Sequence, residues 1–262
     1  MLEYINSLQE AENLCLKAVF FDFGGTIDLY PEVRERALIA AGKMMSILDN
    51  LGIRVSDKSS IPEFYDQLIS RLSEYKSWKK KTLVELPSER VWKDYILFDE
   101  SEKNLIDAET AEELTFLVET GRYTRSVRPE MKVVMEELIK TGLDFGIISN
   151  VVSLTQVPRN LVDYGLESYF SKIILSSGFG KVKPDPGIFH HASDAYGYKP
   201  VECIYVGNSP SKDIFGAKNA GFMAAIQIEY VDDSDDTIDT GVDPDYYIRS
   251  MKELPPIIHS YM

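Results

Sequence analysis

The chain has 262 residues, of which 44% are hydrophobic and 27% charged, so its composition is that of a folded globular protein and not of a disordered or fibrous one. Its formal net charge of −14 argues against general nucleic-acid binding, which needs lysine and arginine to neutralise phosphates. No apolar run reaches the roughly 18 residues that a membrane-spanning helix needs, so no membrane partner is expected.

The start of the chain does not resemble an export signal. Glu3, Glu10 and Glu12 precede the first apolar run, where a secretory signal would carry positive charge. Cys15 and Cys203 are the only cysteines, too few for a disulfide scaffold or a thiolate zinc site. These features predict a protein of the reducing cytoplasm.

The first predicted strand covers residues 17–22, a continuous apolar run that ends in Asp22. Such runs suit a strand that is buried on both faces of a parallel sheet. The following Gly24, Gly25 and Thr26 predict a tight turn directly after the acid. The pattern therefore puts Asp22 at the carboxyl end of a buried strand.

Four helices without an intervening strand are predicted next. They begin near residues 31, 60, 87 and 107, and several of the starts carry proline or the spacing of a capping box, as in Ser60 and Glu63. The block predicts an all-helical domain over residues 29–125. We expect it to be inserted into a second domain that comprises residues 1–28 and 126–262.

After residue 128 the chain alternates helices with strands. The predicted strands cover residues 143–149, 172–175, 203–206, 223–228 and 246–248, and the predicted helices cover 129–141, 158–164, 185–196 and 213–220. Alternation of this kind is typical of βαβ units and a parallel sheet covered on both faces. The fold class is therefore predicted to be α/β, with a Rossmann-like core and an inserted helical cap.

The Asp-rich segment 231–245 is interpreted as an exposed acidic loop, because it lacks the glycine and glutamate of a calcium loop.

Polar residues follow several of these strands at their carboxyl ends. In an open parallel sheet, ligands bind beyond those ends, so these side chains are expected to meet at one edge. The set contains one nucleophilic acid, hydroxyl and amide groups, one cation and an Asn/Asp pair. Its members are Asp22, Ser149 and Asn150, Lys183, Asn208 and Asp213.

Four segments carry these residues in chain order: FFDFGGTID, GIISN, GKVKPDPGIF and IYVGNSPSKDIFGAKNAGF. In that order they resemble the four motifs of the haloacid dehalogenase superfamily, whose members are aspartate-nucleophile phosphohydrolases. The resemblance covers residues 17–28 and about 125–228, and a helical insert after the first motif is what the family calls a type 1 cap. It implies a Mg²⁺-dependent phosphatase of a small phosphorylated metabolite, active as a monomer or homodimer.

The resemblance also implies a role for each residue. Asp22 would attack phosphorus and form an aspartyl phosphate, with Ser149 and Lys183 as further catalytic groups. Mg²⁺ would offset the repulsion between the two anions. The implied substrate-binding residues are Gly25, Thr26, Ser149, Asn150 and Lys183. The implied metal ligands are Asp22, the backbone carbonyl of Gly24, Asn208 and Asp213.

Two positions depart from the family pattern. Gly24 stands where phosphatases of the family usually carry a second aspartate that protonates the leaving group, and Asn208 stands where an acid is usual. Three accounts follow: a phosphatase whose acid comes from elsewhere or whose substrates have good leaving groups, a 2-haloacid dehalogenase in which Arg34 or Arg36 binds halide or carboxylate, and a binding or regulatory module with little turnover. In the cap, the basic aromatic run 78–81 either holds an anionic substrate or is a solvated helix end.

Overall fold

A computed structural model describes residues 15–55, 57–97, 99–230 and 240–262 of the chain. The acidic residues near the start of the sequence lie outside these ranges. So does most of the Asp-rich segment, of which residues 240–245 are described and alternate between exposed and half-buried. Within the described ranges, no helix is both long enough and apolar enough to cross a membrane.

The described residues form eight strands, six of which make one parallel sheet in the order β5-β4-β1-β6-β7-β8. This arrangement confirms the predicted α/β class. The strands are β1 (Ala18–Phe21), β2 (Asp28–Leu29), β3 (Ser126–Val127), β4 (Asp144–Ser149), β5 (Lys172–Leu175), β6 (Cys203–Gly207), β7 (Ala224–Ile228) and β8 (Tyr246–Ile248).

Helices of the described residues lie between and around these strands. They are α1 (Arg34–Asn50), α2 (Ile61–Thr82), α3 (Ser88–Val91), α4 (Glu100–Lys103), α5 (Ala108–Gly121), α6 (Met131–Leu138), α7 (Gln156–Tyr164), α8 (Ser176–Phe179), α9 (Pro186–Asp194), α10 (Phe215–Asn219) and α11 (Leu254–His259). The predicted capping box at the start of α2 is confirmed, since the Glu63 carboxylate accepts hydrogen bonds from the backbone nitrogen and the hydroxyl of Ser60.

The central strand β1 is buried on both faces, as its apolar sequence predicts. Val19 and Phe21 belong to the hydrophobic cluster on one face of the sheet, and Ala18 and Phe20 to the cluster on the other. Alternate residues of a strand point to opposite faces, so one short strand anchors both layers of helices. Burial of each phenylalanine contributes about 2 kcal/mol to folding.

The register of the sheet brings the predicted site residues together. Phe21 is level with Ile147 on β4 and with Val206 on β6. Because Asp22 follows Phe21 directly, it lies at the same edge as the residues that follow the paired positions on both neighbours. These include Ser149 at the end of β4 and Asn208 just after β6.

Helices α1, α2 and α5 pack around a hydrophobic cluster of their own. Its large buried members include Trp92, Met44 and Leu48. The chain enters and leaves this helical region through a short antiparallel pair formed by β2 and β3. The predicted boundaries of the inserted domain, near residues 29 and 125, fall beside this pair and stay a prediction.

Several elements differ from the sequence prediction, each for a local reason. The first cap helix begins at Arg34 and not at Pro31, because residues 31–33 are extended and hydrogen-bond to residues 122 and 124. The helix predicted near residues 87–98 changes to a π-helical turn at Trp92–Ile96. The strands β2 and β3 were not predicted, since two residues are too few to display an alternating pattern, and α8 and α11 were not predicted either.

Candidate active site

A cavity of about 260 Å³ lies between the carboxyl edge of the sheet and the helical region. From the sheet side, the residues that line it include Asp22, Ser149 and Lys183. From the helical side they include Trp92, Tyr75 and several charged residues described below. The polar residues predicted from four separate motifs therefore share one cavity.

Asp22 lies at the base of this cavity and is buried apart from a small exposed fraction of 8%. Its backbone nitrogen donates to the carbonyl of Val206, which continues the pairing of β1 with β6. Burial and the charge of Asp213 raise the pKa of Asp22, the Lys183 ammonium lowers it, and the net result is a pKa of about 6. The carboxylate is thus held as an anion mainly by its contact with a cation.

Lys183 supplies that cation. Its buried Nζ donates to Oδ1 of Asp22 at 2.7 Å, to Oδ1 of Asp213 at 2.6 Å and to the hydroxyl oxygen of Tyr205 at 2.7 Å. Burial alone lowers the pKa of Lys183, but the charges of Asp213 and Asp22 outweigh it and raise the pKa. The two carboxylates thus compensate the buried ammonium, and removal of either would leave it less well paired.

Asn150, predicted to bind substrate, hydrogen-bonds to the backbone of Lys183. Its Oδ1 accepts from the Lys183 nitrogen at 2.8 Å, and its Nδ2 donates to the Lys183 carbonyl at 3.0 Å. This pair of bonds fixes the loop that carries the lysine. Ser149, the residue before it, is buried, lines the cavity, and has no hydrogen-bond partner for its hydroxyl among the described residues.

Oxygen atoms from the first and fourth motifs converge around Thr26. The Thr26 hydroxyl lies 3.1 Å from Oδ1 of Asn208 and 3.4 Å from Oδ2 of Asp22. A carboxylate oxygen and an amide oxygen at one position, next to a backbone turn, are donors of the hard type that Mg²⁺ prefers. Gly25 is needed here, because its φ is +82° and a Cβ would lie 2.8 Å from the Asn208 side chain.

Asp213, predicted as a metal ligand, has both carboxylate oxygens engaged by the protein. Oδ1 accepts from Lys183 at 2.6 Å and lies 3.2 Å from the hydroxyl of Tyr205. Oδ2 accepts from the backbone nitrogen of Ser209 at 2.9 Å. Both oxygens of Asp213 thus already accept hydrogen bonds from the protein, and its contact with Lys183 is formed without a metal.

The space beside Gly24 is filled by an aromatic ring. A Cβ added at Gly24 would lie 3.0 Å from Cε1 of Tyr30. The Tyr30 ring is itself packed against the rings of Tyr123 and Tyr230, with the guanidinium of Arg125 5.1 Å from its centroid. A side chain at position 24 would therefore be in tight contact with this ring at its Cβ, and the ring would have to shift by a few tenths of an ångström.

The helical side of the cavity is lined by cations that are paired with carboxylates. Lys79 contacts both oxygens of Glu85 at 3.1 Å, Arg122 contacts Glu32 at 2.6 Å, and Arg125 contacts Asp28 at 2.6 Å. From the basic aromatic run 78–81, Lys79 alone lines the cavity among the described residues. The two arginines proposed for a dehalogenase, Arg34 and Arg36, are exposed and lie outside this lining.

Two glutamates of α5 hold the loop that follows β4. Glu119 accepts hydrogen bonds from the backbone nitrogens of Val152 and Ser153 at 2.8 and 3.0 Å. Glu112 accepts from the hydroxyl and the backbone nitrogen of Thr155 at 2.9 and 3.0 Å. Burial raises the pKa of Glu119, which makes its ionised form less favourable than in water.

A second contact joins the helical region to the loop before Lys183. The nitrogen of Glu85 donates to the carbonyl of Gly180, and the nitrogen of Val182 donates to the carbonyl of Leu83, both at 3.1 Å. The buried Glu85 carboxylate also accepts from the hydroxyl of Ser176 at 2.8 Å. The lysine loop is thus held from the cap as well as from the sheet.

Sequence reasoning missed the residues that support the site from outside the motifs. Tyr30, Glu85 and Glu119 stand in the helical region or its linker, where no motif marks them. Tyr205 lies within the fourth segment, but its apolar neighbours make it read as an ordinary strand residue. A buried tyrosine needs a hydrogen-bond partner for its hydroxyl, and this rule is the signal that could have pointed to Tyr205.

The sequence model of a family described as haloacid dehalogenase-like hydrolase matches residues 16–221. The chain is 34% identical over 148 residues to phosphoserine phosphatase of Thermus thermophilus, a match that covers 56% of this chain and 57% of that protein. It is 25% identical over 246 residues to N-acylneuraminate-9-phosphatase of Rattus norvegicus, with 94% of each chain covered. The chain therefore spans little more than half the length of the first relative and nearly all of the second.

Solved structures give the same overall likeness. A HAD phosphatase from Thermococcus onnurineus has a TM-score of 0.59 at 25% identity, with 93% of this chain and 98% of that chain covered. A 2-haloacid dehalogenase from Pseudomonas syringae pv. Tomato DC3000 has a TM-score of 0.63 at 23% identity, with 94% and 100% covered. The second likeness concerns the fold alone.

Proposed function

We propose a function from one premise: the chain belongs to the haloacid dehalogenase-like hydrolase family. It is a hydrolase, and we infer that it hydrolyses a small phosphorylated metabolite through an aspartyl phosphate at Asp22. Relatives named as phosphatases support this choice of reaction, among them those of phosphoserine and N-acylneuraminate 9-phosphate. The substrate of this chain is not transferred from either name.

The observation that carries the proposal is the buried contact of Asp22 with Lys183 at 2.7 Å, at the base of a cavity. A carboxylate can attack phosphorus only as an anion, and the ammonium favours that form. The same positive charge offsets the negative charge of an incoming phosphoryl group. The buried hydroxyl of Ser149 is the group proposed to donate a hydrogen bond to a phosphoryl oxygen.

In the proposed reaction, a carboxylate oxygen of Asp22 forms a bond to phosphorus while the bond from phosphorus to the leaving oxygen breaks. A water molecule then attacks the phosphorus of the aspartyl phosphate, which releases inorganic phosphate and restores the carboxylate. Lys183 is the group proposed to face the phosphoryl group throughout, whereas Gly25 and Thr26 do not line the cavity, and Thr26 instead contacts the side chains of Asp22 and Asn208. Asn150 acts indirectly, because it holds the Lys183 backbone.

Mg²⁺ is the proposed cofactor, held by Asp22, the carbonyl of Gly24 and the side-chain oxygen of Asn208. When bound, the ion would neutralise charge on the carboxylate and the phosphoryl group. The convergence of Asp22 and Asn208 oxygens on Thr26 supports this donor set. Asp213 is assigned the role of holding Lys183, since its oxygens already contact Lys183 and the Ser209 nitrogen.

The glycine at position 24 removes the usual acid for the leaving group. General acid catalysis contributes about 10²–10⁴ in rate, so its loss matters most for alkoxide leaving groups. Acyl phosphates need less protonation, because a carboxylate is a good leaving group. We therefore expect the enzyme to act better on an acyl phosphate than on an alkyl phosphate, relative to the uncatalysed rates.

The test is hydrolysis of acetyl phosphate and p-nitrophenyl phosphate, with Mg²⁺ and with a chelator. The Asp22→Asn variant, which keeps the size of the side chain, is expected to lose activity by about 10³-fold or more. Chelation is expected to abolish turnover of the wild type. Retained activity in a folded Asp22→Asn variant would falsify the covalent mechanism.

The dehalogenase alternative has support from Gly24, because a halide leaves without a proton. It predicts halide release from 2-chloropropionate without metal, and this assay runs beside the phosphatase test. Arg34 and Arg36 do not line the cavity, which removes the residues first considered for halide or carboxylate binding. The absence of turnover in both assays would favour a binding module.

We further propose a cytoplasmic setting, in keeping with the free thiols of Cys15 and Cys203.

A further inference from the structure

The Lys183 ammonium has three hydrogen-bond partners in the protein, one for each of its N–H groups. Two are the carboxylates of Asp22 and Asp213, and the third is the hydroxyl oxygen of Tyr205 at 2.7 Å. All four residues are more than nine-tenths buried. These three contacts together define the position of the ammonium.

Tyr205 is the neutral member of this group, and the sheet holds its ring in place. It stands in the middle of β6, and its ring packs edge-on against Phe189 at 5.1 Å and against Phe222 at 6.3 Å. Its hydroxyl donates to the carbonyl of Ile148 at 3.1 Å or to Oδ1 of Asp213 at 3.2 Å. Either donation leaves an oxygen lone pair for the ammonium of Lys183.

We propose that Tyr205 is a positioning residue that fixes the Lys183 ammonium between Asp22 and Asp213. The proposal rests on the proposed function, because it concerns the lysine assigned there to the phosphoryl group. A lysine ammonium is a point charge on a flexible stem of four carbons. With the two carboxylates alone, the ammonium could still swing about the line that joins them. The phenol oxygen is a third contact, and it prevents this movement.

Removal of the hydroxyl alone is expected to displace the charge without removing it. In Tyr205→Phe the ring keeps its contacts with Phe189 and Phe222, so the hydrophobic cluster is preserved. One N–H of the buried ammonium then lacks a partner, which is unfavourable. The ammonium shifts toward the carboxylates and away from the direction in which the phenol held it.

The kinetic test compares Tyr205→Phe with the wild type on acetyl phosphate and Mg²⁺. We expect kcat to fall about tenfold or more and KM to change less than about twofold. The reason is that a displaced ammonium stabilises the charge of the transition state less well, while it affects substrate binding little. The matched control is Tyr198→Phe, whose hydroxyl donates to Asp144 at the opposite edge of the sheet. The control is expected to keep both constants, and unchanged kcat in folded Tyr205→Phe overturns the proposal.

A second measurement does not depend on turnover. In protein labelled with ¹⁵N-lysine, a buried ammonium with three protein partners exchanges slowly and gives a protected resonance, with a nuclear Overhauser contact to the Tyr205 ring. The signal is expected in the wild type and in Tyr198→Phe, and is expected to broaden or vanish in Tyr205→Phe. If the wild type hydrolyses no phosphate, the proposed function fails while this signal still decides the position of Lys183. Absence of the contact in the wild type overturns the proposal without any variant.

Discussion

At the scale of single residues, Gly24 and the adjacent ring of Tyr30 explain why the site lacks a general acid at this position. The glycine leaves no side chain to protonate a leaving group, and Cε1 of Tyr30 would lie 3.0 Å from any Cβ placed there. The ring is held by Tyr123, Tyr230 and Arg125, so it does not move aside without loss of contacts. Restoration of the acid is thus a problem of space as well as of chemistry.

We expect Gly24→Asp alone to raise alkyl phosphate hydrolysis little, because the new side chain meets the Tyr30 ring. Combined with Tyr30→Leu, it is expected to raise kcat on glycerol 1-phosphate by about tenfold or more, a part of the usual gain from a general acid. Tyr30→Leu alone is the control for the cavity. A full gain in the single variant would mean that Tyr30 yields easily, contrary to its packing.

Single residues also show which features of the site can be predicted from the sequence and which cannot. The site residues could be found, because they lie at the carboxyl ends of recognisable strands or in the segments that follow, and the four segments in this order resemble a known family. They are Asp22, Ser149, Lys183, Asn208 and Asp213. The role that each of these residues has in the site could not be predicted. Whether the Asp213 oxygens face a metal or a lysine depends on side-chain directions across three elements, which no local pattern encodes.

At the scale of elements, α5 joins the cap to the core through carboxylates and not through apolar packing alone. Glu119 binds two backbone nitrogens of the loop after β4, and Glu112 binds the next turn of the same loop. This loop directly follows Ser149 and Asn150. The helix therefore supports the segment that presents the second motif to the cavity.

The half-buried Glu119 predicts a pH effect on stability. Its pKa is raised above the ordinary 4.5 by burial, so the folded protein binds its proton more tightly than the unfolded chain does. The free energy of unfolding therefore decreases as pH rises from about 4.5 through the raised pKa. Glu119→Gln lacks this component, although it also loses one acceptor at every pH.

The measurement is urea unfolding of the wild type and Glu119→Gln between pH 4.5 and 7. We expect the wild type to lose stability relative to the variant over this range, whatever the constant offset between them. Parallel curves would show that the two backbone donors compensate fully for burial of the charge.

Elements with strong patterns were predicted well and weak ones poorly. The edge strands β5 and β8 are only partly buried and still have the predicted bounds, because short apolar runs between turns leave little choice of where a strand begins and ends. The pair β2 and β3 has two residues per strand and exists through contact between the two linkers, at positions 28–29 and 126–127. Such pairing depends on tertiary structure, which a local pattern cannot report.

At the scale of the whole molecule, the cavity exists only because the helical region lies over the carboxyl edge of the sheet. The two parts are joined near the lysine loop, where Leu83 and Glu85 hydrogen-bond to Val182 and Gly180. The volume of about 260 Å³ is below the range of about 300–1,000 Å³ typical of sites for larger ligands. Small substrates are therefore favoured.

We expect kcat/KM for glycerol 1-phosphate to exceed that for adenosine 5′-monophosphate by about tenfold or more, because the nucleoside does not fit under the helices. Both are phosphate esters of a primary alcohol, so the chemical step is matched and the difference reports size. Steady-state phosphate release with each substrate measures the ratio. Equal values would imply that the helical region opens during turnover to admit larger groups.

The packing of Tyr30 against Gly24 also sets the order in which this site can evolve. An acid introduced at position 24 while Tyr30 is present contacts a ring that is held by three neighbours. We therefore expect this mutation alone to give little gain in activity, and so little selective advantage. Loss of the tyrosine beforehand opens the space in which the same acid takes full effect. We therefore expect the two positions to be epistatic, with a change at residue 30 preceding one at residue 24 on the path to an acid-assisted enzyme.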